Sequence, residues 1–437
     1  MFKITFIGAG STIFAKNVLG DCILTPELGE FEIALYDIDP VRLNDSYMML
    51  QNINKKYAGK AEIRAYTNRK EALTGAGFVV NAIQVGGYRP CTVADFEIPK
   101  KYGLRQTIAD TLGIGGIFRA LRTIPVLEGI AEDMSVCCPK ALFINYTNPM
   151  AILTGYLIND LHVNAVGLCH SVQVCVSGLF KTLGMEDKIA AAKSKIAGIN
   201  HQAWLLEIED EYGNDLYPEI KRRSLSGEYA EKMKWDLVRH DILHRFGYYN
   251  TESSEHTAEY NPYYIKSRYP ELIERYRIPL DEYPRRCEKQ IADWEQRREV
   301  LVNNGDIEHV KSREFAAPLI LAMRSDVPYR LNGNVMNDGL ITNLPRAACV
   351  EVPCMVDRNG INPCVIGDLP EQLAALNRTN INVQLMTMEA ARSKKRADVY
   401  MAAYLDPHTA AELSLDDIRS MCDDLFEAHK DWLPEYR

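Results

Sequence analysis

Phe6-Ile7-Gly8-Ala9-Gly10-Ser11 closes the first apolar run of the chain, and its reading decides the fold. The run Ile4 to Ile7 has the length of a buried strand, and a helix-length stretch follows the glycines. In a doubly wound sheet ligands sit beyond the carboxyl ends of the strands, so a Gly-Ala-Gly turn that opens a helix there presents backbone N–H groups to a pyrophosphate. The third glycine of the usual dinucleotide fingerprint is absent, Ile13 standing in its place, and two glycines alone are also what a plain tight turn requires. Asp37, which ends Leu35-Tyr36-Asp37, tips the balance. A carboxylate at the end of the next strand accepts hydrogen bonds from a ribose 2′-hydroxyl and repels a 2′-phosphate, which favours NAD over NADP, with Arg42 nearby as the opposing signal. Gly8, Gly10, Ser11 and Asp37 are therefore candidate NAD-binding residues.

Working outward, residues 3 to 168 alternate short apolar runs with helix-length connections. Strands are expected at Ile4 to Ile7, Phe31 to Tyr36, Phe78 to Ile83, Ala141 to Ile144 and Ala165 to Leu168. That rhythm predicts an α/β fold: a Rossmann-like, doubly wound, mostly parallel sheet over residues 1–195. Beyond it the texture changes. Trp204 to Ile208 reads as a strand before a turn at Asp210 to Asn214, and charged helices are expected at Pro284 to Val302 and Glu371 to Tyr404. A second, mixed α+β domain over residues 196–437, serving substrate binding and oligomerisation, is the expectation.

Composition bounds the function. A chain of 437 residues, 47% hydrophobic and 25% charged, has room for two cores. A formal net charge of -9 argues against nucleic acid or an anionic membrane as the partner and leaves small molecules. No segment approaches the roughly 20 apolar residues of a membrane span, and Met1 to Thr5 enter a strand without the blocks of a signal peptide. Eleven cysteines, an odd number scattered from Cys22 to Cys422, suit reduced thiols. A cytoplasmic location is expected.

Several stretches carry chemistry. Cys169-His170 follows the strand Ala165 to Leu168, and His201 ends Gly198-Ile199-Asn200-His201. A thiolate and an imidazole suit a borderline divalent ion and leave positions open for substrate oxygens. By spacing alone, a single Cys-His pair is more often packing. Asn145-Tyr146-Thr147-Asn148-Pro149 ends another strand, and Asn148, pushed towards extended backbone by Pro149, is able to offer its amide to a ligand or merely to end the strand. Glu252 to His256 and Glu259 to Tyr264 crowd carboxylates, an imidazole and phenols together, for which a solvated loop is the plainer account, and Gln106 to Gly116, before a helix bearing Arg119 and Arg122, is either a second glycine-rich ligand loop or a flexible connection.

Taken in order, Gly8-Ala9-Gly10-Ser11, Gly86-Gly87-Tyr88, Gln106 to Gly116 with Arg119 and Arg122, Asn145 to Pro149, Gly167 to Gln173 and Gly198 to His201 closely resemble glycoside hydrolase family 4. The likeness continues through Glu252 to Tyr264, Asn337 to Leu340, Leu373 to Gln384 and Asp406 to Thr409, so it spans nearly the whole chain. Within the family the chain is most similar to the α-galactosidases.

The resemblance implies an NAD-dependent hydrolase outside the two-carboxylate glycosidase scheme. NAD takes hydride from the sugar C3, a base removes the acidified C2 proton, the C1 substituent is eliminated, water adds, and the hydride returns. It implies Mn2+ bound by Cys169 and His201, stabilising the enediolate at the C2 and C3 oxygens. Tyr260 matches the base, with Tyr263 and Tyr264 as rivals. A phenol is a poor base unless a cation lowers its pKa, so it should lie near the metal. His170 holds the position where some members place the leaving-group acid, with packing or substrate contact as the alternatives for a histidine there, Asn148 matches the sugar-binding asparagine, and Asp110 is a candidate for a sugar hydroxyl. Members acting on phosphorylated sugars carry an arginine shortly after the Gly-Gly region. Here Cys91-Thr92 stands there, favouring an unphosphorylated α-galactoside, with Arg89 close by. An α-galacturonidase of the same family, a hydroxy-acid dehydrogenase and a non-catalytic NAD-responsive binding protein are the alternatives. A homo-oligomer, dimer or tetramer, is expected by resemblance.

Overall fold

The computed structural model describes residues 1–437. Its twelve strands are β1 (Phe2–Ile7), β2 (Phe31–Tyr36), β3 (Ala61–Tyr66), β4 (Phe78–Asn81), β5 (Leu142–Asn145), β6 (Ala165–Gly167), β7 (Lys193–Ile199), β8 (Gln202–Glu209), β9 (Tyr249–Asn250), β10 (Tyr329–Met336), β11 (Cys349–Asp357) and β12 (Gly360–Pro363). All join one sheet in the order β3-β2-β1-β4-β5-β6-β10-β11-β7-β8-β9, with β12 on β11. The first six are parallel in the dinucleotide-fold order 3-2-1-4-5-6, and the rest pair antiparallel. The expected Rossmann-like half is present. The strands of the second half extend the same sheet rather than building one of their own.

Continuous apolar runs arise because both sheet faces are covered. In β4, Val80 packs with the helices Thr12–Ile23 and Pro40–Lys56, whereas Val79 faces the core of Gly113–Cys137 and Met150–Asn159. Burying each such side chain stabilises the fold by about 1.5–3 kcal/mol. Two expectations need correction. The helix expected over Glu371 to Tyr404 is two, Glu371–Ser393 and Arg396–Tyr404, parted at Lys394, whose φ of 55° cannot continue a right-handed helix. The edge strand β3 was not expected at all.

One row of directly paired residues crosses the sheet: Tyr36, Ile7, Asn81, Asn145, Gly167, Asn334, Glu351 and Gly198, from β2 to β7. Asp37, Gly8, Tyr146, Cys169 and His201 all lie within three residues beyond that row. The fold thus gathers segments far apart in sequence along one edge.

A buried histidine away from this edge gives a pH-dependent stability. His240, on the helix Leu237–Phe246, is 3% exposed with neither ring nitrogen hydrogen-bonded. Burial pushes its imidazole down to about 4, although Asp236 pulls the other way. An unfolded histidine titrates near 6.5, so below that pH the unfolded chain takes up a proton that the native one refuses. Stability is expected to fall by up to ~3 kcal/mol between about pH 6.5 and pH 4. His240→Gln should flatten that part of a urea-midpoint profile, and an unchanged slope would exclude His240 as its source.

Candidate active site

The glycine turn has no room for side chains. Gly8 has φ 87°, and a Cβ there would meet the Ala82 carbonyl at 2.7 Å, while a Cβ on Gly10 would meet Asp37 Oδ2 at 2.7 Å. The Gly10 N–H donates to Asp37 Oδ2 at 2.6 Å, which ties the turn to the carboxylate expected to meet the ribose. Ser11 precedes the helix Thr12–Ile23 without capping it by its side chain, so the helix's first N–H groups have no side-chain acceptor. A tight, uncapped turn at a helix start suits a pyrophosphate. Gly10→Ala is expected to weaken NAD binding at least about tenfold, or about 1.4 kcal/mol, by displacing Asp37. Calorimetric titration with NAD checks this, and an unaltered Kd would detach the turn from the cofactor.

At the other end of the row, three side chains converge. Cys169 follows β6, His201 occupies the β7–β8 turn with φ 62°, and Glu252 follows β9. A left-handed histidine costs of order 1–3 kcal/mol and is held only where surrounding structure fixes it. Cys169 Sγ lies 3.4 Å from His201 Nε2, which is 3.4 Å from Glu252 Oε2. The three ligand atoms lie within 4.8 Å of one another. Glu351 of β11 is completely buried nearby, touched by Asn334 Nδ2 at 3.4 Å, with its second oxygen unpartnered.

The electrostatics suit a cation. Burial pushes the Cys169 thiol far up, and Glu351 and Glu252 add to it. Burial lifts the Glu351 carboxyl to about 7, with His201 opposing and Glu252 reinforcing. Against the upward push of burial, His201 and His256 hold Glu252 down at about 2. A thiol and two carboxylates packed together are costly unless a positive charge offsets them. The donor set of sulfur, imidazole and carboxylate suits a divalent ion.

Substrate candidates line the adjacent wall. Asn148 Nδ2 donates to Asp110 Oδ2 at 3.1 Å, and Asp110 Oδ1 is 3.8 Å from His256 Nε2. His256 stacks edgewise on His201, ring centres 4.4 Å apart. Burial raises the Asp110 carboxyl, but His256 and Arg119 hold it down at about 2. Arg119 donates to the Asn148 carbonyl at 3.1 Å and to the Tyr283 phenol at 3.4 Å.

The three tyrosines separate cleanly. Tyr260 is buried with its ring 6.5 Å from that of His201. Tyr264 spends its phenol on Asp241 at 2.9 Å, and Tyr263 is 45% exposed against Phe246. Burial, Asp110 and Glu252 push the Tyr260 phenol well up, while Thr111 pulls it down. His170 stands apart from this group. It is exposed at the start of the helix Ser171–Thr182.

Glu252, His256 and Glu351 had no assigned role in the sequence reading. Glu252 and His256 fell inside a stretch noted for its polar density. Glu351 is a lone charge in the apolar run Cys349-Val350-Glu351-Val352, a signal available in the sequence.

The two halves of the row also mark a family. Residues 3–185 match the model of the family 4 glycosyl hydrolases, and residues 196–409 match that of their C-terminal domain. The chain belongs to glycoside hydrolase family 4. As a family 4 glycoside hydrolase it is 62% identical over 440 residues to an α-galactosidase of Bacillus subtilis (strain 168), covering 100% of both chains. Its fold is similar to that of the putative glucosidase lplD of Bacillus subtilis, with a TM-score of 0.85, 26% identity and coverage of 97% and 99%. A 6-phospho-α-glucosidase from gut microorganisms, solved in complex with NAD and Mn2+, shares the fold at a TM-score of 0.82 and 19% identity, each chain covered in full. No helix of the family 4 chain is long and apolar enough to cross a membrane.

Proposed function

We propose that this family 4 enzyme hydrolyses unphosphorylated α-galactosides, with NAD held at Gly8, Gly10, Ser11 and Asp37 and Mn2+ held by Cys169, His201 and Glu252. The observation that carries the catalytic reading is the convergence of thiol, imidazole and carboxylate within 4.8 Å beside a buried tyrosine. The substrate follows the Bacillus subtilis relative, 62% identical over the full length.

When bound, NAD would supply a reversible hydride acceptor, and an ion held by Cys169, His201 and Glu252 would supply positive charge to stabilise a developing enediolate. The protein's part is to orient and to move protons. Asp110 and Asn148, already hydrogen-bonded to each other, are assigned to sugar hydroxyls. Tyr260 is assigned to the C2 proton, and a cation held by Cys169, His201 and Glu252 would offset the burial and the carboxylates that push its phenol up. His170, which follows Cys169 in sequence but is exposed and apart from the cluster, is assigned to the leaving-group proton on the family resemblance alone.

Two contacts support the choice of sugar. Arg89 is paired with Glu288 at 3.9 Å and lies over the Tyr88 ring at 5.5 Å, so a phosphate there would meet a carboxylate. Arg119 is already shared between Asn148 and Tyr283, which disfavours its use for the carboxylate of a galacturonide. We further propose a division into residues 1–195, for NAD, and 196–437, for substrate and oligomerisation, in a cytoplasmic homo-oligomer of two or four copies.

The test is release of nitrophenol from nitrophenyl α-galactoside by dialysed, reduced protein, with NAD and Mn2+ added together and each omitted. Turnover that needs both and leaves no net NADH is expected. Turnover of the galacturonide alone would transfer the assignment to a galacturonidase, and NADH accumulation from a hydroxy acid would transfer it to a dehydrogenase.

A further inference from the structure

The loop Gln106 to Leu112 carries Asp110 into the pocket, yet no regular structure holds it. The Gln106 and Thr107 carbonyls accept from the Asp281 and Tyr283 N–H groups at 2.9 and 3.0 Å, whereas the next N–H groups are all held by one side chain. Glu259 Oε1 accepts from the N–H groups of Thr107 and Ile108, the latter at 3.0 Å, and Glu259 Oε2 accepts from Ala109 at 3.2 Å. Three successive N–H groups converging on one carboxylate form the kind of concavity that elsewhere binds a free anion. Here the anion belongs to the chain.

The arrangement costs strain. Ala109 has φ 51°, a left-handed conformation that persists only where its surroundings impose it. Behind it the helix Gly113–Cys137 packs so closely that a Cβ on Gly115 would lie 2.4 Å from the Ala109 carbonyl oxygen. Burial pushes the Glu259 carboxyl up, and the N–H groups of Thr107 and Ala109 pull against that push.

We propose that Glu259 is a positioning residue for the reaction: by gripping the N–H groups of Thr107, Ile108 and Ala109 it fixes the loop that sets Asp110 against Asn148 and brings Thr111 to the Tyr260 phenol. This rests on the assignment of Asp110 and Tyr260 above. Glu259 and Tyr260 are neighbours at the end of the helix Ser254–Tyr260, so one residue secures the loop while the next presents the proton acceptor to it. Both carboxylate oxygens are used as acceptors. A glutamine would turn an NH2 towards the Ala109 N–H, and the loop would lose at least one of its three N–H contacts to the side chain of residue 259. A second tie, Thr107 Oγ1 to the Glu255 carbonyl at 3.0 Å, does not involve the carboxylate and serves as the control.

The experiment compares wild type, Glu259→Gln and Thr107→Ala, each loaded with NAD and Mn2+. Hydrogen exchange over residues 105–112 and nitrophenyl α-galactoside kinetics are measured together. In wild type the amides of Thr107, Ile108 and Ala109 should exchange slowly. In Glu259→Gln that protection should be lost and kcat should fall about 100-fold, the scale of a misplacement of about 1 Å, while KM and the Kd for NAD change little. Thr107→Ala should keep the protection and most of kcat. Rapid exchange of these amides in wild type, or a Glu259→Gln enzyme with wild-type kcat, would overturn the proposal. A wild type inactive on every α-galactoside would instead refute the functional reading, while the exchange data would still decide whether the carboxylate holds the loop.

Discussion

Cys169→Ala is expected to lower kcat/KM for an α-galactoside about 1000-fold, a loss of about 4 kcal/mol of transition-state stabilisation. In the folded protein the thiol sits among Glu252, Glu351 and His201, and its ionisation is opposed by burial and by both carboxyls. A divalent ion opposes that upward push, because it pairs with the thiolate and offsets the carboxylates. Alanine removes the ligand and leaves two carboxylates facing a site with less hold on the ion. The Kd for Mn2+, followed by the magnetic resonance signal of the free ion, should therefore rise by about 100-fold. Wild-type turnover together with wild-type Mn2+ affinity would remove the metal role. Glu252→Gln should show the same two losses in weaker form, since the amide oxygen is still a possible ligand.

Tyr260→Phe is expected to lower kcat about 10²- to 10⁴-fold, the range that a positioned general base contributes, with NAD affinity unchanged. The ring is buried and its packing survives the substitution, so the loss isolates the hydroxyl. A readout specific to this role is deuterium from the solvent at the product's C2, which the variant should incorporate far more slowly. Tyr263→Phe and Tyr264→Phe should turn over close to wild type, because one ring is exposed and the other gives its phenol to Asp241. Loss of activity in either, with Tyr260→Phe unaffected, would move the base.

The parallel half of the sheet was legible because its strands are buried on both faces and read as unbroken apolar runs. β3 escaped for the opposite reason. At the sheet edge only Ala61 and Ile63 are buried, and Glu62 and Arg64 face solvent. β10 and β11 have no local signal for their position, since they reach back from residues 329–357 to lie between β6 and β7. Cys169 and His201 were singled out as candidate ligands through family resemblance, while spacing alone favoured packing. The third ligand candidate, Glu252, and the buried Glu351 depend on that long-range pairing, which no window of sequence displays. The choice among Tyr260, Tyr263 and Tyr264 was likewise a matter of what each phenol touches.

The order of strands also bears on when the site is born. β6 and β7 follow each other along the chain, yet β10 and β11 separate them in the sheet. Cys169 and His201 therefore reach their mutual position only once residues up to Asp357 have been translated and threaded into that gap. A nascent chain stalled before that point has the glycine turn but no assembled ion site. A product truncated before β10 would thus retain the glycine turn proposed for the nucleotide while lacking the juxtaposition of Cys169 and His201 proposed for manganese.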